Sequence, residues 1–432
     1  MKRQLLLVFL LTGLSQLAAF FKLWFTAKVF GLDSSLDGYN LALVFPTLIS
    51  GILSGVLQTG FFPVRAQWAT QHNHDPDSIA SFERTVLVGY GALGLAVTSL
   101  LAATIQYWTP LFGNNASPSA QAAMQQAASI TVWLISLNLV GDCTGFMLAM
   151  RNRFGIAAAA PIANGLFGGM LLGLWPEGGL SNLLIGTLFG LAIQVSICLI
   201  GLKGGGFRFF GKWPEYVQIK KSWHDMYTLG AWIIPGVVFS NIVVSLPPVW
   251  IASFGDGAVS AYGYAYRLHS ATLQLLVIAG STVILARFSQ LVAAGDSTAV
   301  NDILKKASVA SVILGGLALL LIWNLGVPLL EFVFDGRFDA VAAERVSQHW
   351  LWMTFGLGFS ILGSVFAKLW QAQGRPKLIS AFSALSLLTL TASYYLLRNS
   401  INEFSLGASL SLSATAVVLF GLCFLKPPVP RQ

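Results

Sequence analysis

Long apolar runs alternate with short polar connections along this chain. Twelve runs reach the length of about 20 residues that a helix needs to cross the hydrocarbon core of a bilayer. They cover approximately residues 5–30, 38–62, 85–107, 127–150, 155–175, 180–202, 226–252, 258–286, 307–333, 346–372, 377–397 and 404–425. The pattern predicts an all-α, polytopic membrane protein with about twelve transmembrane helices.

Composition agrees with this architecture and narrows the range of functions. Of the 432 residues, 55% are hydrophobic and 10% are charged, and the mean hydropathy is +0.72, a balance that soluble domains do not have. The net charge is +8, but there is no polar domain to carry a basic nucleic-acid-binding stripe, so we expect no nucleic acid partner. The cysteines, Cys143, Cys198 and Cys423, lie in apolar runs at unpaired spacings, which predicts neither a disulfide nor a metal site.

The motifs of an enzyme are absent from the sequence. It contains no phosphate-binding Walker loop, no paired carboxylates in a polar domain and no His/Cys cluster with metal-ligand spacing. We therefore expect neither catalysis nor a cofactor. Uphill transport would draw on a coupling ion (Na⁺ or H⁺), on the membrane potential or on consumption of the product.

Charges are distributed unequally between the connections. Most of the 25 Lys and Arg residues fall in connections on the same side of the membrane as the N-terminus, whereas Asp and Glu dominate the connections on the opposite side. The positive-inside rule then predicts that both termini are cytoplasmic. Between the sixth and seventh runs, residues 206–223 mix aromatic and cationic side chains, which is typical of an interfacial segment on the cytoplasmic leaflet or of a plain linker.

The two halves of the chain echo each other at one fixed offset. Phe30-Gly31 recurs as Phe254-Gly255, and the cations of Arg151-Asn152-Arg153 recur in Arg375-Pro376-Lys377. Each half contains six runs and starts on the same side. The repeat predicts two pseudo-symmetric six-helix lobes, residues 1–203 and 226–432, joined by a cytoplasmic interfacial linker at 204–225.

Cations inside the apolar runs are the strongest functional signal. A central Lys or Arg costs about 2.5–3.5 kcal/mol on insertion scales, so it is retained where it faces water, a partner or an anionic substrate. Lys22 and Arg267 lie at similar depths in the first and eighth runs, and Lys28 lies nearer the outer end, where it could instead snorkel to the interface. Together they predict a central cationic cavity.

Three further polar residues in the runs leave alternatives open. Tyr264 and Tyr266 accompany Arg267, and hydroxylated rings beside a guanidinium suit a sugar or a diphosphate. An aromatic belt at the outer interface is the other interpretation. Asp142 in the fourth run is a candidate for ion coupling, with a structural salt bridge or hydrogen bond as the alternative.

Several motifs resemble the MurJ (MviN) family of lipid II flippases, within the wider superfamily of multidrug, oligosaccharidyl-lipid and polysaccharide exporters. They are Phe20-Phe21-Lys22, Ala27-Lys28-Val29-Phe30-Gly31, Asp37, Pro46, Phe62-Pro63, Arg151-Asn152-Arg153-Phe154, Tyr264-Ala265-Tyr266-Arg267-Leu268, Asp335-Gly336-Arg337-Phe338-Asp339 and Gly374-Arg375-Pro376-Lys377. The resemblance implies a multi-pass protein of the bacterial inner membrane whose cationic cavity receives a lipid-linked diphosphate. It assigns Lys22, Lys28 and Arg267 to basic positions of the family and Asp37 to an acidic one.

The function that the resemblance implies is translocation of an undecaprenyl-diphosphate-linked saccharide from the cytoplasmic to the outer leaflet by alternating access. Its partners would be that lipid-linked glycan, membrane lipids and envelope-synthesis enzymes. Gln16 and Ser50-Gly51 stand where the family usually has basic residues, and twelve spans compare with the usual fourteen. The substrate therefore stays open between lipid II, the peptidoglycan precursor, and an exopolysaccharide repeat unit. Alternatives are a cation-coupled multidrug exporter of the same superfamily and a scaffold for envelope-synthesis enzymes.

Overall fold

The computed structural model describes residues 2–211, 213–214, 216–231 and 233–424. Three cations used in the orientation prediction, Lys212, Lys426 and Arg431, lie outside the described residues. The described part of the chain is helical and contains no β-strand. Its α-helices are α1 (Lys2–Phe30), α2 (Ser34–Gln71), α3 (Pro76–Ala103), α4 (Ile105–Gly113), α5 (Pro118–Thr131), α6 (Trp133–Met150), α7 (Phe154–Leu174), α8 (Gly179–Gly204), α9 (Tyr216–Gly230), α10 (Ile234–Ser245), α11 (Pro247–Ile251), α12 (Ala258–Ala293), α13 (Ser297–Val333), α14 (Ala340–Thr354), α15 (Leu357–Ala372), α16 (Pro376–Leu397) and α17 (Ser405–Cys423).

The predicted all-α, polytopic membrane architecture is confirmed. Ten helical segments of the described residues are long and apolar enough to cross a membrane, and α14 and α15, which meet at a bend of 44°, would supply an eleventh as one broken span. The eighth predicted run coincides with α12, part of whose side chains lie outside the described residues. The apolar runs therefore identify the spanning helices, although the predicted ends differ from the observed helix ends.

Hydropathy missed the helices that are not continuously apolar. Helices α4 and α5 fall largely, though not wholly, between the third and fourth predicted runs, and α2 continues to Gln71, beyond the predicted end at residue 62. Helix α9 begins inside the predicted linker at Tyr216 and ends beyond it at Gly230. These segments alternate polar and apolar residues, so they form no long apolar run although they are helical.

The chain divides into two compact units, Met1–Ile234 and Pro235–Gln432. The division thus falls after α9, later than the predicted linker at 204–225, because α9 packs against the first unit. An added Cβ on Gly60 of α2 would lie 2.6 Å from the Met226 carbonyl oxygen of α9, and the Trp223 ring stacks on Tyr90 with centroids 5.7 Å apart.

Small residues allow close helix packing inside each unit, as is common in membrane proteins. In the first unit, a Cβ on Gly165 of α7 would lie 2.4 Å from the Ala18 carbonyl carbon of α1. In the second, a Cβ on Gly356 would lie 2.5 Å from Cα of Ser411 in α17. In the first unit, the close contact at Gly165 therefore sets how closely α1 packs against α7.

Candidate functional site

Lys22 lies in α1 where that helix meets α7. A Cβ on Gly168 would lie 2.9 Å from Cδ of the lysine, and a Cβ on Gly169 would lie 2.9 Å from its Cα. The lysine is half-buried, and its stem occupies space that exists because α7 carries no side chain at these two positions. The glycine pair thus accommodates a long cationic side chain inside a spanning helix bundle.

The ammonium group of Lys22 is held by a hydroxyl from α8. Lys22 Nζ donates to Oγ1 of Thr187 at 2.7 Å, and the Thr187 hydroxyl donates to the Leu183 carbonyl at 2.6 Å. The hydroxyl of Tyr39 in α2 lies 3.3 Å from the same threonine oxygen. Tyr39 and Thr187 are 3% and 8% exposed, so three helices fix one cation in a largely buried polar cluster.

Neither Tyr39 nor Thr187 was predicted as a site residue. Thr187 is one of many hydroxyl residues in apolar runs, and it lies 165 positions from Lys22. Tyr39 follows Asp37 by two positions, so the motif containing Asp37 was the only signal that pointed to its neighbourhood.

Two other predicted residues of the first unit, Lys28 and Asp37, lie near the end of α1 and the start of α2. Lys28 is exposed, and its Nζ lies 5.1 Å from the centroid of the Trp24 ring, a cation–π contact. Asp37 is 2% exposed and lies in the first turn of α2, where the helix dipole favours a carboxylate. At the adjacent Gly38, a Cβ would lie 2.5 Å from the Ala120 carbonyl oxygen, so Asp37 sits beside a close contact of α2 with α5.

Asp142 is exposed although α6 is one of the spanning helices. The side chain of Ser54 in α2 lies near its carboxylate. Among the described residues no cation forms an ion pair with Asp142, so the structure offers no support for the salt-bridge alternative. A carboxylate on a spanning helix is tolerated where water reaches it.

In the second unit, the predicted residues on α12 occupy two different surroundings. Tyr264 is 1% exposed and packs edge-on against Phe338, with ring centroids 5.7 Å apart. Tyr266 is partly exposed, and its ring stacks on Tyr262 at 5.9 Å. Arg267 is half-buried. Tyr266 and Arg267 are thus the two predicted residues of this helix that are partly exposed.

A buried carboxylate that the sequence did not single out joins two arginines. Glu83 in α3 is fully buried, and its Oε1 accepts from Nε of Arg65 at 3.0 Å. Its Oε2 accepts from Nε and Nη2 of Arg151 at 3.0 and 2.6 Å. Arg151 also donates to the Gly205 carbonyl at 3.0 Å. The network connects α2, α3, the α6–α7 turn and the end of α8 on the predicted cytoplasmic side.

The start of the predicted interfacial segment is held against this network. Arg84 Nη2 donates to the Arg208 carbonyl at 2.9 Å. The Phe207 ring is buried, and Cζ of the Arg151 guanidinium lies 5.4 Å from the centroid of that ring. Phe210 and Trp213 point outward, with 92% and 54% of their surfaces exposed. The segment is therefore anchored at one end and presents aromatic rings at the other, as an interfacial segment requires.

These features define a polytopic helical membrane protein with a hydroxyl-bound cation inside its first unit. A family model described as lipid II flippase MurJ matches residues 26–430, and the chain belongs to that family. The resemblance found in the sequence motifs is thereby confirmed.

Similar proteins include members of this family from other bacteria. The probable lipid II flippase MurJ of Rhizobium meliloti is 22% identical over 363 residues, which are 80% of this chain and 65% of the relative. The lipid II flippase MurJ of Burkholderia cenocepacia is 24% identical over 390 residues, which are 85% of this chain and 72% of the relative. The chain thus spans slightly under two thirds of the Rhizobium protein.

Solved structures with a similar fold include a flippase and a multidrug transporter. A lipid II flippase MurJ in an inward closed conformation matches with a TM-score of 0.82 and 20% identity, over 97% of this chain and 87% of that one. An inward-facing multidrug resistance MATE family transporter of the MOP superfamily matches with a TM-score of 0.69 and 12% identity, over 96% and 93% of the two chains. At these identities the likeness concerns the fold.

Proposed function

We propose that this protein is a flippase that moves a polyprenyl-diphosphate-linked saccharide of the lipid II type from the cytoplasmic to the outer leaflet. The observation that carries the proposal is the hydrogen-bonded Lys22 within a spanning helix. Membership of the MurJ family and the names of the two relatives support this substrate class.

A diphosphate needs cations wherever it leaves water. Hydrogen bonds between an ammonium or guanidinium group and a phosphate oxygen are shorter and about twice as strong as neutral ones. Lys22 supplies a point charge that Thr187 keeps in one position. Arg267 supplies a planar fork that binds phosphate oxygens bidentately, and the Tyr266 hydroxyl beside it is suited to the saccharide.

The remaining predicted residues have subsidiary roles in this proposal. Lys28, on the surface of α1, attracts the diphosphate electrostatically as it passes, and Asp37 holds the start of α2 beside Tyr39. Asp142 is the carboxylate through which a Na⁺ or H⁺ gradient would couple, since its side chain is exposed and no cation forms an ion pair with it among the described residues.

The proposed setting is the bacterial inner membrane with both termini in the cytoplasm. The concentration of Lys and Arg on one side of the spans supports this orientation. The same side carries the Glu83 network and the anchored segment at Phe207.

Binding of lipid II to the purified, intact protein tests the proposal. We expect native mass spectrometry to show that lipid II binds at least about tenfold more tightly than undecaprenyl monophosphate, because its second phosphate and its saccharide offer contacts that the monophosphate lacks. Lys22→Ala and Arg267→Ala should each weaken lipid II binding about tenfold, whereas Lys203→Ala, which removes an exposed cation, should not. Equal affinity for the two lipids, or full affinity in both variants, would rule out the proposed role of these cations.

A cation-coupled multidrug exporter is the second candidate, favoured by the MATE-like fold and by the exposed Asp142. The two candidates give different results in drug-sensitive bacteria. An exporter would raise resistance to lipophilic cations, and Asp142→Asn would remove that protection. The flippase proposal predicts no protection from the unaltered chain, so its expression should leave the resistance panel unchanged.

A further inference from the structure

A polar cavity of about 300 Å³ lies between the end of α2 and α9 in the first unit. Its walls include Trp68, Gln71 and His72 from α2 and Lys221 and Asp225 from α9. None of these residues belongs to the cluster around Lys22 or to the network around Glu83. The cavity is therefore a separate feature of this unit.

The two charged residues of the cavity are positioned to bind a ligand of mixed charge. Lys221 and Asp225 are four positions apart and so lie on one face of α9. At the same spacing in α13, but in the opposite and more favourable order, Asp302 and Lys306 form an ion pair of 2.8 Å. Lys221 and Asp225 form no such pair among the described residues. A cation and a carboxylate are thus presented to the cavity together but without neutralising each other.

The deeper wall of the cavity is aromatic and apolar. Trp68 is 5% exposed, and His72 stacks on it with ring centroids 4.4 Å apart. Trp68 and Ser222 also border a second, smaller cavity, whose other walls include Phe82 and Met226. The space between α2 and α9 therefore changes from polar at its mouth to apolar within.

The cavity lies at a boundary between membrane and water. The apolar run of α2 ends near residue 62, so Val64 at one end of the cavity lies just beyond it, and Gln71 and His72 lie farther out on the predicted cytoplasmic side. Helix α9 begins shortly after the exposed Trp213 and presents Tyr227, 47% exposed, on its surface. Aromatic rings with polar edges favour the headgroup region of a bilayer.

We propose that this cavity binds the headgroup of a phospholipid that carries both a phosphate and a primary amine, as phosphatidylethanolamine does. Lys221 donates to the phosphate, and the Asp225 carboxylate accepts hydrogen bonds from the amine. The stacked Trp68 and His72 rings form the wall against the glycerol and the start of the acyl chains.

The charge pattern separates this lipid from the two other common headgroup types. A phosphatidylglycerol headgroup is anionic and has no amine: its hydroxyls can donate to Asp225, but it brings no positive charge to offset repulsion between its phosphate and the carboxylate. A choline headgroup is zwitterionic, but its quaternary nitrogen has no N–H and cannot donate to the carboxylate.

Native mass spectrometry of the intact protein tests this proposal by titration with phosphatidylethanolamine, phosphatidylglycerol and phosphatidylcholine of identical acyl chains. We expect phosphatidylethanolamine to bind about tenfold more tightly than either of the others, as one charge-assisted hydrogen bond would provide. Asp225→Asn should abolish the preference over phosphatidylglycerol, and Lys221→Ala should weaken phosphatidylethanolamine about tenfold. Lys220→Ala, the matched control, removes an exposed cation outside the cavity walls and should change neither value.

The thermal unfolding midpoint of each variant serves as the check on folding, because both substitutions lie on an accessible face of α9. Equal binding of the three lipids by the unaltered protein would overturn the proposal. An unchanged preference in correctly folded Asp225→Asn protein would overturn it as well.

Discussion

Lys22 Nζ and Thr187 Oγ1 lie 2.7 Å apart although the two residues are separated by 165 positions in the chain. The threonine hydroxyl donates to its own helix at the Leu183 carbonyl, so it presents its lone pairs to the lysine. A half-buried ammonium group is thereby fixed among apolar helices, where insertion of a charge otherwise costs about 2.5–3.5 kcal/mol. This hydrogen bond determines where the first unit offers positive charge.

The threonine hydroxyl should matter for transport because it positions the cation. Thr187→Val keeps the side-chain shape and removes the acceptor, so we expect Lys22 to lose its fixed position and the rate of lipid transport to fall about tenfold, as loss of a hydrogen bond to a charged group predicts. The measurement is the rate at which lipid II becomes accessible on the outer face of proteoliposomes.

A matched threonine provides the control for that substitution. Thr354 is 1% exposed, and its hydroxyl donates within its own helix to the Trp350 carbonyl at 2.7 Å. Thr354→Val should leave the transport rate nearly unchanged. Equal rates for both variants would show that the hydroxyl of Thr187 does not position Lys22.

The glycines of α7 set the distance at which α1 can pack. An added Cβ on Gly169 would lie 2.9 Å from Cα of Lys22 and 2.9 Å from Cδ1 of Phe21. Since the first of these is a backbone atom, the helices must separate, and we expect Gly169→Ala to destabilise the protein by about 1–3 kcal/mol. Unfolding in detergent by heat or denaturant measures the change.

Gly145 in α6 is the control for the packing argument. A Cβ there would meet no atom within 4 Å, so Gly145→Ala removes only backbone freedom and should be neutral or stabilising by up to about 1 kcal/mol. If Gly169→Ala proved as harmless as Gly145→Ala, close packing of α1 on α7 would not be a source of stability.

Glu83 should be among the most sensitive charged positions of the first unit. Glu83→Gln leaves Arg65 and Arg151, whose side chains are 13% and 15% exposed, facing each other without their carboxylate. Removal of one partner from a buried ionic network typically costs about 3–5 kcal/mol. We expect a lower unfolding midpoint and a reduced level of folded protein in the membrane.

Asp77→Asn provides the comparison for the buried network. Asp77 pairs with Arg208 at 3.0 Å, but each side chain is 71% exposed, so water screens the pair. Its loss should cost less than about 1 kcal/mol. A Glu83→Gln protein as stable as the Asp77→Asn protein would contradict the structural role assigned to the network.

Much of the fold follows from the sequence because lipid demands continuous apolar helices. The spanning helices leave long runs in the sequence, and charges such as Lys22 and Asp142 are conspicuous within them. The first part of α9 lies in the predicted linker because it forms no continuous apolar run, whereas its end falls within the seventh predicted run. Glu83 was overlooked because an acid near the end of a span looks like a solvated loop charge until its arginine partners are known.

The partner of Lys22 could not be predicted for a different reason. Thr187 is compatible with any apolar helix, since its hydroxyl can bond to a carbonyl one turn earlier in that helix. Its role depends on the packing of α1 against α7 and α8, a contact between distant segments that no local pattern encodes.

Growth of bacteria depleted of their own lipid II flippase tests the central claim most directly. With its membrane level verified, the unaltered chain should restore growth, and Lys203→Ala should do so equally. Lys22→Ala and Arg267→Ala, present at the same level, should not. Failure of the unaltered chain to restore growth would contradict lipid II as the substrate, and growth with both cation variants would contradict the proposed mechanism.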